Sequence, residues 1–242
     1  MVSRRNIARS SQFRQRAELL MKKSIRFSVV IPVHNEEKNI IPLLLEIERA
    51  IGGPDDFEVI IADDHSTDRS RDILQEQAKQ FPWLRIVRLR RQSGQSAALR
   101  CGIKKAQSSL IVTLDGDGQN DPGDIEKLVA LYNEKKKNNP CCLINGYRAR
   151  RKDSGWRCFS SVFANAIRRT LLRDETPDSG CGIKAYAKET FLDLPPFHHM
   201  HRFLPALVRQ QGGSVVSVEV RHHSRKTGKS HYGTLDRLFA GM

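Results

Sequence analysis

Apolar runs and helically spaced apolar residues alternate along the first half of the chain. Short runs rich in Val, Ile and Leu predict four buried strands, over residues 27–33, 57–62, 84–89 and 110–114. Between them, the apolar spacing predicts helices that begin near Asn39, near Asp68 and at Gln95. Strands that alternate with helices indicate an α/β fold with a mostly parallel sheet, right-handed crossovers and flanking helices.

The second half of the chain has a less regular pattern. It predicts a strand over residues 141–145, a basic amphipathic helix over 156–172, a helix over 200–210 and an alternating strand over 214–220. Residues 221–233 have the composition of a loop. We therefore expect a basic, flexible leader over residues 1–24, one α/β domain over 25–233 and a short tail over 234–242.

Polar clusters follow the first, second and fourth predicted strands. The carboxyl ends of parallel strands lie at one edge of a sheet, and ligands of such folds bind there. We therefore expect the clusters to meet at that edge and form the functional site. They are His-Asn-Glu at residues 34–36, Asp-Asp-His-Ser at 63–66 and Asp-Gly-Asp at 115–117.

The second of these clusters combines two predicted roles. A carboxylate such as Asp64 can accept from the N–H groups of a nucleotide base or from ribose hydroxyls, whereas Asp68 is suited to cap the following helix. We expect both roles to hold together. His65 is expected to adopt an unusual turn conformation, which His tolerates better than most residues.

The Asp115-Gly116-Asp117 triplet carries the clearest chemical signal. Clustered carboxylates at a strand's carboxyl end suit a hard divalent cation such as Mg²⁺ or Mn²⁺. Such an ion can hold a diphosphate and neutralise it as a leaving group. Many surface loops contain the same spacing as a solvated acidic turn, so the triplet alone leaves both interpretations open.

The chain is strongly basic, with a formal net charge of +14. Residues 1–26 hold eight Lys or Arg residues against the single acid Glu18, and residues 148–173 hold another eight basic residues. Such a surface attracts nucleic acid, anionic lipid or phosphorylated substrates, although a solvated basic face is the alternative interpretation. We expect the leader to bind an anionic membrane as an electrostatic tether, because it lacks strong helical periodicity.

Cysteine usage and hydropathy bear on the compartment. The five cysteines are odd in number and lack C-x-x-C spacing, which predicts free thiols in a reducing environment. No apolar stretch approaches the roughly 20 residues that cross a bilayer, and the polar N-terminus does not resemble a signal peptide. We expect a cytoplasmic protein that is peripheral on the cytoplasmic face of a membrane.

Several motifs occur in order and together resemble a known enzyme family. Ile-Pro-Val-His-Asn-Glu-Glu precedes Asp-Asp-His-Ser-Thr-Asp, Gly-Gln-Ser-Ala-Ala-Leu and Asp-Gly-Asp-Gly-Gln-Asn-Asp-Pro. They resemble the inverting family 2 glycosyltransferases. Later motifs that begin at Asp178, His201 and Arg221 resemble its dolichyl-phosphate mannose synthase and polyprenyl-phosphate glycosyltransferase branch. The resemblance spans residues 27–233 and implies the GT-A fold, a Rossmann-like, mostly parallel α/β sheet flanked by helices.

The resemblance also implies a role for each matching position. For the nucleotide sugar, the matching residues are Pro32, Asn35, Glu36, Asp64, Gly94, Gln95 and Asp115. For a Mg²⁺ or Mn²⁺ ion, they are Asp115, Asp117 and Gln119. For the acceptor phosphate, they are Arg148, Ser154, Arg202 and Arg225. The resemblance implies that Asp117, Asp178 and Arg148 carry the chemistry, with Asp178 near the sugar.

The sequence departs from the family's usual pattern at two positions and at its end. His34 stands where Tyr is more usual, and His65 stands where Gly is common. These changes bear on how the base packs, not on the reaction. Many relatives carry C-terminal transmembrane helices, whereas this sequence stops at Met242, so we expect a peripheral form or part of a longer protein.

The implied reaction is transfer of a sugar from a nucleotide-diphosphate sugar, of the GDP-mannose or UDP-hexose type, to dolichyl, undecaprenyl or another polyprenyl phosphate, with inversion. A phosphate monoester has a second pKa near 6, so it needs no strong general base. Transfer to a saccharide hydroxyl, with Asp178 as the base, is the alternative. Nucleic-acid binding is a third hypothesis, but it leaves Asp63, Asp115 and Asp117 unexplained, because carboxylates repel phosphates.

Residues 221–233 are expected to form a lid on the acceptor side of the site. Arg221, Arg225, Lys226 and Lys229 supply positive charge, and the segment lacks apolar residues that would fix it to the core. We therefore expect it to be mobile without ligand and to become ordered on bound diphosphate and acceptor phosphate.

Overall fold

The computed structural model describes residues 25–52, 56–149 and 176–223. Its first half alternates strands and helices: β1 (Phe27–Val33), α1 (Ile40–Ile51), β2 (Phe57–Asp63), α2 (Ser70–Gln80), β3 (Leu84–Arg88), α3 (Gln95–Lys105) and β4 (Leu110–Thr113). The four predicted strands are confirmed to within one residue at each end, and the three predicted helices begin within two residues of the expected positions. Pro42 lies in the first turn of α1, where its missing N–H has no intrahelical partner to lose.

The second half contains shorter elements. A 3₁₀ helix (Pro122–Asp124) leads into α4 (Ile125–Lys135), which is followed by β5 (Cys142–Tyr147). After the undescribed residues come β6 (Lys184–Ala187), α5 (Lys188–Leu192), a second 3₁₀ helix (Met200–Arg202), α6 (Leu204–Gln210) and β7 (Ser214–Glu219). Within these described residues, no helix combines the length and apolar character that crossing a bilayer requires.

The strands described in the structure form one seven-stranded sheet in the order β3-β2-β1-β4-β6-β5-β7. The strands β3, β2, β1 and β4 are parallel to one another, and β7 is parallel to β5. Only β6 among the described strands runs against its neighbours, β4 and β5. The mostly parallel sheet predicted from the sequence is therefore confirmed.

The topology of this sheet places a ligand crevice beside β1. The chain runs outward from β1 through β2 to β3, and β4 then pairs with the opposite side of β1. Ligands of parallel α/β sheets bind beyond the carboxyl ends of the strands at such a switch point. Because β6 is antiparallel, its first residue Lys184 pairs with Thr113, the last residue of β4, and so lies at the same edge.

Two apolar layers cover the faces of the sheet. Alternate residues of β1 point to opposite sides, so Val29 and Ile31 join one cluster while Val30 joins the other. Gly102 allows α3 to pack closely on β1, since a Cβ there would lie 2.6 Å from Val30 Cγ1. Each buried Val, Leu or Ile side chain contributes about 1.5–3 kcal/mol of hydrophobic stabilisation. The sheet is therefore a rigid support for the loops at its carboxyl edge.

The structure differs from the sequence prediction in a few elements. The helix predicted over residues 200–210 is a 3₁₀ turn followed by α6, because Pro205 occupies the first turn of α6. Gln77 of α2 is buried as Leu74 is, so the inward face of this helix includes a polar side chain. Three elements, α4, β6 and α5, were not predicted. The predicted amphipathic helix over residues 156–172 lies outside the described residues.

Candidate active site

The loop after β4 carries Asp115 and Asp117 and turns back on itself. Gly116 fits tightly against the end of β1, because a Cβ there would lie 2.8 Å from the Pro32 carbonyl oxygen. The Asp115 amide donates to Asn120 Oδ1 at 3.0 Å, and the Gln119 amide donates to Asp117 Oδ1 at 3.2 Å. The loop therefore presents its two carboxylates at the switch point between β1 and β4.

Asp115 is held in a confined, polar position. Gln95, at the start of α3, donates from Nε2 to Asp115 Oδ1 at 2.9 Å. Gly182 faces the same carboxylate so closely that a Cβ would collide with it. Burial and then the charge of Asp117 raise the pKa of Asp115 to about 6, against the opposing effects of Lys184 and Arg148. The two carboxylates are close enough to repel each other, and a cation between them would relieve that repulsion.

The donor set of this loop fits a Mg²⁺ or Mn²⁺ ion bound together with a phosphorylated ligand. Asp115 and Asp117 offer hard oxygen atoms, and Gln119 adds an amide oxygen on the same loop. No cluster of three His, Cys, Asp or Glu side chains in the described part of the chain is arranged to hold a metal by itself. Mg²⁺ characteristically takes only one or two protein carboxylates and completes its shell with phosphate oxygens and water.

Arg148 and Asp178 form a two-point ion pair beside this loop. Arg148 Nε donates to Asp178 Oδ2 at 2.6 Å, and its Nη2 donates to Oδ1 at 3.0 Å. Asn145, at 0% exposure, donates from Nδ2 to the Asp178 carbonyl oxygen at 3.0 Å. Burial opposes the charge of Arg148, but its bonds to Asp178 outweigh this effect and raise its pKa. Arg148 is therefore a fixed cation near Asp115.

Asp64 organises the start of α3. Its carboxylate accepts the Ser93 amide at 2.7 Å and the Gly94 amide at 2.8 Å. Gly94 has a φ of +87°, a conformation that glycine adopts without strain, and its carbonyl oxygen accepts the first bonds of the helix. Asp64 therefore fixes the backbone next to Gln95, which holds Asp115. The structure thus gives the predicted base-binding acid two intramolecular partners.

The first polar cluster is tied to the second by hydrogen bonds. His34 lies with Nδ1 2.9 Å from the Asp64 carbonyl oxygen, which can only accept, so Nδ1 carries the proton. Asn35, with a φ of 56°, accepts the Thr67 amide at 2.8 Å through Oδ1. Asn39 donates to Glu36 Oε2 at 2.5 Å. The three polar clusters predicted to meet at the sheet edge do so.

One of two local expectations for residues 65–70 is confirmed. His65 has a φ of 59°, the unusual turn conformation predicted from the sequence. Asp68 accepts the Ser70 amide through Oδ1 at 2.9 Å, but the N-cap position of α2 is Arg69, which makes no side-chain capping bond, so Asp68 lies one residue before the predicted cap position. Ser66 has a different role, because its hydroxyl accepts the Asn35 amide at 3.0 Å.

The predicted acceptor-phosphate residues are spread over described and undescribed parts of the chain. Arg202 is exposed at the end of the second 3₁₀ helix. Its neighbour His201 is tied to α3, with Nδ1 2.7 Å from Ser96 Oγ. Ser154 and Arg225 lie outside the described residues, as do residues 224–233 of the predicted lid.

Residues 221–223 differ from the lid prediction. Arg221 Nε lies 3.1 Å from Asp121 Oδ2. An ion pair, instead of apolar packing, therefore joins Arg221 to the loop after β4. The His223 amide donates to the Gln119 carbonyl oxygen at 2.9 Å. These residues are therefore fixed to the Asp115 loop, and Arg221 is engaged with a carboxylate of its own chain.

Sequence reasoning missed Lys184 near the site, and it interpreted His222 only as a solvated or phosphate-contacting residue of a basic loop. Lys184 is 4% exposed and donates from Nζ to the Cys181 carbonyl oxygen, and burial lowers its pKa. The pKa of His222 is lowered, and partial burial is the main cause. Arg148, Asp117 and Asp178 also shift this pKa, so they lie close to His222. Lys184 ends the Asp-Ser-Gly-Cys-Gly-Ile-Lys motif, which was the signal that could have identified it.

Comparison with known proteins identifies the family of this chain. The model of glycosyl transferase family 2 matches residues 28–194, which is more than half of the chain. The chain belongs to glycosyl transferase family 2. The matched region contains Asp64, Gln95, Asp115, Asp117 and Asp178, together with the sheet edge that carries them.

Curated proteins resemble the chain over most of its length. It is 34% identical over 221 residues to a dodecaprenyl-phosphate galacturonate synthase of Rhizobium johnstonii, covering 89% of this chain and 64% of that protein. It is 32% identical over 220 residues to an undecaprenyl-phosphate 4-deoxy-4-formamido-L-arabinose transferase of Edwardsiella ictaluri, covering 88% of this chain and 65% of that protein. The chain therefore spans slightly less than two thirds of these relatives.

Solved structures confirm the GT-A fold expected for glycosyl transferase family 2. Glucosyl-3-phosphoglycerate synthase from Mycobacterium tuberculosis, in complex with Mn²⁺, UDP and phosphoglyceric acid, matches with a TM-score of 0.63 at 20% identity, over 89% of this chain and 74% of that one. A mannosyltransferase from Pyrobaculum calidifontis, in complex with GDP-Man and Mn²⁺, matches with a TM-score of 0.61 at 19% identity, over 86% and 61%. At these identities the likeness concerns the fold.

Proposed function

We propose that this protein transfers a sugar from a nucleotide-diphosphate sugar to the phosphate of a polyprenyl lipid, with inversion at the anomeric carbon. The observation that carries the proposal is the pairing of two sites at one sheet edge. The Asp115 and Asp117 carboxylates suit a metal-bound diphosphate, and the Arg148 cation beside them suits a second phosphate. The polyprenyl-phosphate transferases among its relatives support the choice of acceptor.

Asp115, Asp117 and Gln119 are the residues proposed to hold a Mg²⁺ or Mn²⁺ ion. When bound, such an ion supplies positive charge that stabilises the diphosphate as it leaves the sugar. The protein's own contribution is to keep the two carboxylates in place. Gln95 orients Asp115 through a hydrogen bond of 2.9 Å, and the Gln119 amide orients Asp117.

The nucleotide is proposed to lie along the ends of β1 and β2 and the start of α3. Pro32, Asn35, Glu36, Asp64, Gly94 and Gln95 are the residues proposed to line it. Here Asp64 acts through the backbone that it fixes, since its oxygens accept the Ser93 and Gly94 amides. A rigid lining of this kind positions the donor sugar against the acceptor, which lowers the entropic part of the barrier.

Arg148 is proposed to bind the acceptor phosphate, helped by Ser154, Arg202 and Arg225. Asp178 holds Arg148 at two nitrogen atoms and so orients its guanidinium. The acceptor phosphate is itself the nucleophile, because its second pKa near 6 leaves it ionised at neutral pH. It attacks the anomeric carbon on the face opposite the departing diphosphate, which inverts the configuration.

Transfer to a saccharide hydroxyl is less well supported. That reaction needs a general base, and Asp178 was the candidate. Its carboxylate accepts two charge-assisted bonds from Arg148, and such pairing lowers the basicity of a carboxylate. The same pair is instead suited to hold a cation against a phosphate.

The protein is also proposed to work at the cytoplasmic face of a membrane, where a polyprenyl phosphate resides. The eight Lys and Arg residues among residues 1–26 support an electrostatic tether to anionic lipid. This tether would raise the local concentration of enzyme near its acceptor without an inserted helix.

A two-step experiment tests the proposed function. Thermal shifts with Mn²⁺ and a panel of UDP- and GDP-sugars identify the donor, because a ligand that binds only the native state raises the melting temperature. Product is then measured with undecaprenyl phosphate, dolichyl phosphate or free saccharides as acceptors. Sugar transfer to a polyprenyl phosphate supports the proposal, and transfer to saccharides alone would replace it with the hydroxyl-acceptor hypothesis.

A further inference from the structure

Residues 221–223, which follow β7, return to the loop that carries the two aspartates. Asn120 and His222 form an isolated antiparallel bridge. The His223 amide also donates to the Gln119 carbonyl oxygen at 2.9 Å. The loop after β4 is therefore held by a segment from the other end of the described chain.

Arg221 fastens this contact with both its backbone and its side chain. Its amide donates to Asp124 Oδ2 at 2.7 Å, across 97 positions of sequence. Its Nε lies 3.1 Å from Asp121 Oδ2 and 3.5 Å from Asp124 Oδ1. A Cβ on Gly123 would collide with the guanidinium, so the side chain lies against the first 3₁₀ helix. Arg221 thus bridges the two carboxylates that flank that helix.

The two carboxylates are more enclosed than the arginine that pairs with them. The side chains of Asp121 and Asp124 are 16% and 10% exposed, whereas that of Arg221 is 62% exposed. Asp121 also accepts the Gly123 amide through Oδ1 at 2.8 Å, so its position shapes the loop backbone. Without Arg221, both enclosed carboxylates would lose its charge, and His223, with Nε2 3.5 Å from Asp121 Oδ2, would contact only Asp121. Asp121 and Asp124 would then repel each other more strongly.

The same loop connects this pair of acids to Asp115 and Asp117. Asn120, which bridges to His222, accepts the Asp115 amide through Oδ1 at 3.0 Å and is 3% exposed. Gln119, whose carbonyl oxygen accepts the His223 amide, donates its own amide to Asp117. A displacement of residues 221–223 would therefore move the groups that fix both carboxylates.

We infer that Arg221 is a positioning residue for the Asp115 and Asp117 loop, acting through Asp121 and Asp124 and the backbone contacts at Gln119 and Asn120. Its consequence for metal and nucleotide binding rests on the proposed function, whereas its consequence for the loop's structure does not. The role of Arg221 is therefore to set the geometry of the loop that carries Asp115 and Asp117.

The test compares Arg221→Met with Arg221→Lys and with a matched control, Arg85→Met. Arg85 also pairs with an enclosed carboxylate, Glu58 at 2.5 Å, but near the amino end of β2. Amide hydrogen exchange of residues 115–124 reports the loop in the ligand-free protein. Electron paramagnetic resonance with MnCl₂, in the presence of UDP or GDP, reports the affinity for the metal and nucleotide without requiring turnover.

Arg221→Met is expected to speed exchange in residues 115–124 and to weaken Mn²⁺ binding about fivefold or more, the size of effect typical of residues in one network. Arg221→Lys keeps the charge and is expected to restore much of the affinity. Arg85→Met is expected to lower the melting temperature at least as much while leaving Mn²⁺ affinity unchanged. This outcome separates positioning of the loop from general destabilisation.

Three other outcomes are equally decisive. Unchanged exchange and unchanged Mn²⁺ affinity in Arg221→Met overturn the inference. Faster exchange with unchanged Mn²⁺ affinity also overturns it, because the contact would then be only structural. If the unmodified protein binds no Mn²⁺ in the presence of either UDP or GDP, the proposed function fails, and the exchange comparison then tests only whether Arg221 fixes the loop in the ligand-free protein.

Discussion

At the scale of single residues, Asp63 and Asp64 show how adjacent acids come to hold different parts of one site. Asp63 accepts the Ser66 amide at 2.8 Å and pairs with Arg88, so it shapes the turn after β2. Asp64 reaches across to the Ser93 and Gly94 amides at the start of α3. Both are almost fully buried, at 1% and 4% exposure, so both are expected to matter for stability.

The variants Asp63→Asn and Asp64→Asn are therefore predicted to separate stability from ligand binding. Each change replaces one acceptor oxygen by a donor and leaves a buried partner unsatisfied, at a cost of about 1–3 kcal/mol. Urea unfolding should show a similar decrease in the free energy of unfolding for both variants. Only Asp64→Asn should strongly weaken binding of UDP or GDP with Mn²⁺, because only Asp64 fixes the backbone next to Gln95. Equal losses of nucleotide affinity in calorimetry would contradict this assignment.

His201 gives the molecule a predicted sensitivity to acid. Burial, with smaller contributions from Lys184 and Arg202, lowers its pKa to about 3, well below the usual value near 6.5. Between these values the unfolded chain binds a proton that the folded protein does not, so the free energy of unfolding falls as the pH is lowered through 6.5. The loss between pH 7.5 and pH 5 is at most about 2 kcal/mol.

His201→Asn is expected to remove this acid sensitivity while leaving other titrations in place. Urea unfolding at a series of pH values measures it, because the variant curve should be flatter than that of the unmodified protein below pH 6.5. A curve with the same slope in both proteins would show that His201 is accessible to protons in the folded state.

At the scale of elements, the approach of β6 to β4 shapes the proposed metal site. Gly182, just before β6, leaves no room for a Cβ beside the Asp115 carboxylate, and its carbonyl oxygen accepts the Thr113 hydroxyl at 2.8 Å. Gly180 is different, because a Cβ there would meet Asp178 Oδ1 at an ordinary contact distance of 3.6 Å. The two glycines therefore form a matched pair for testing this approach.

Gly182→Ala is expected to displace the Asp115 carboxylate and to reduce Mn²⁺ affinity and turnover sharply. Gly180→Ala is expected to change both only slightly. Circular dichroism at increasing temperature should show that both variants still fold cooperatively, since neither glycine requires a positive φ. Equal Mn²⁺ affinity in the two variants would argue that Asp115 is not a metal ligand.

The elements that the sequence predicted are those with strong local patterns. The apolar runs of β1 and β2 and the helical spacing of α1 are complete in the sequence, and their side chains are buried as expected. In contrast, β6 has only four residues and begins with the buried Lys184, so it carries no apolar run. The apolar residues of α4 also recur at helical spacing, with Ile125, Leu128, Val129 and Tyr132 buried, so a local pattern for this helix is present in the sequence.

The site was predictable where motif residues follow a strand, and not where distant segments meet. The position of Asp115 and Asp117 at the sheet edge follows from the strand before them. The pairing of Arg148 with Asp178, across 30 positions, and of Arg221 with Asp121 has no local pattern. These contacts depend on how β5, β6 and β7 add to the sheet, which hydrophobic periodicity does not specify.

At the scale of the whole molecule, charge is predicted to direct the protein to its acceptor. The leader over residues 1–24 contains seven of the eight basic residues found before residue 27, and each contributes up to about 1 kcal/mol near an acidic bilayer. Co-sedimentation with liposomes containing phosphatidylglycerol should therefore fall steeply as salt is raised. Removal of residues 1–24 should weaken binding to the liposomes further. Binding that is independent of both salt and the leader would contradict an electrostatic tether.

The most direct test of the central claim is the transfer of radiolabelled sugar, from the donor identified by thermal shift, to undecaprenyl phosphate in the presence of Mn²⁺. The control variant is Asp193→Asn, since Asp193 is exposed and follows α5. The account predicts a polyprenyl-phosphate sugar whose anomeric configuration is inverted relative to the donor, and no product in excess EDTA. Asp117→Asn is expected to lower the rate of transfer on the order of 10²–10³-fold, whereas the control variant should transfer sugar at a near-normal rate. Full activity of Asp117→Asn, or product formation that persists in EDTA, would contradict it.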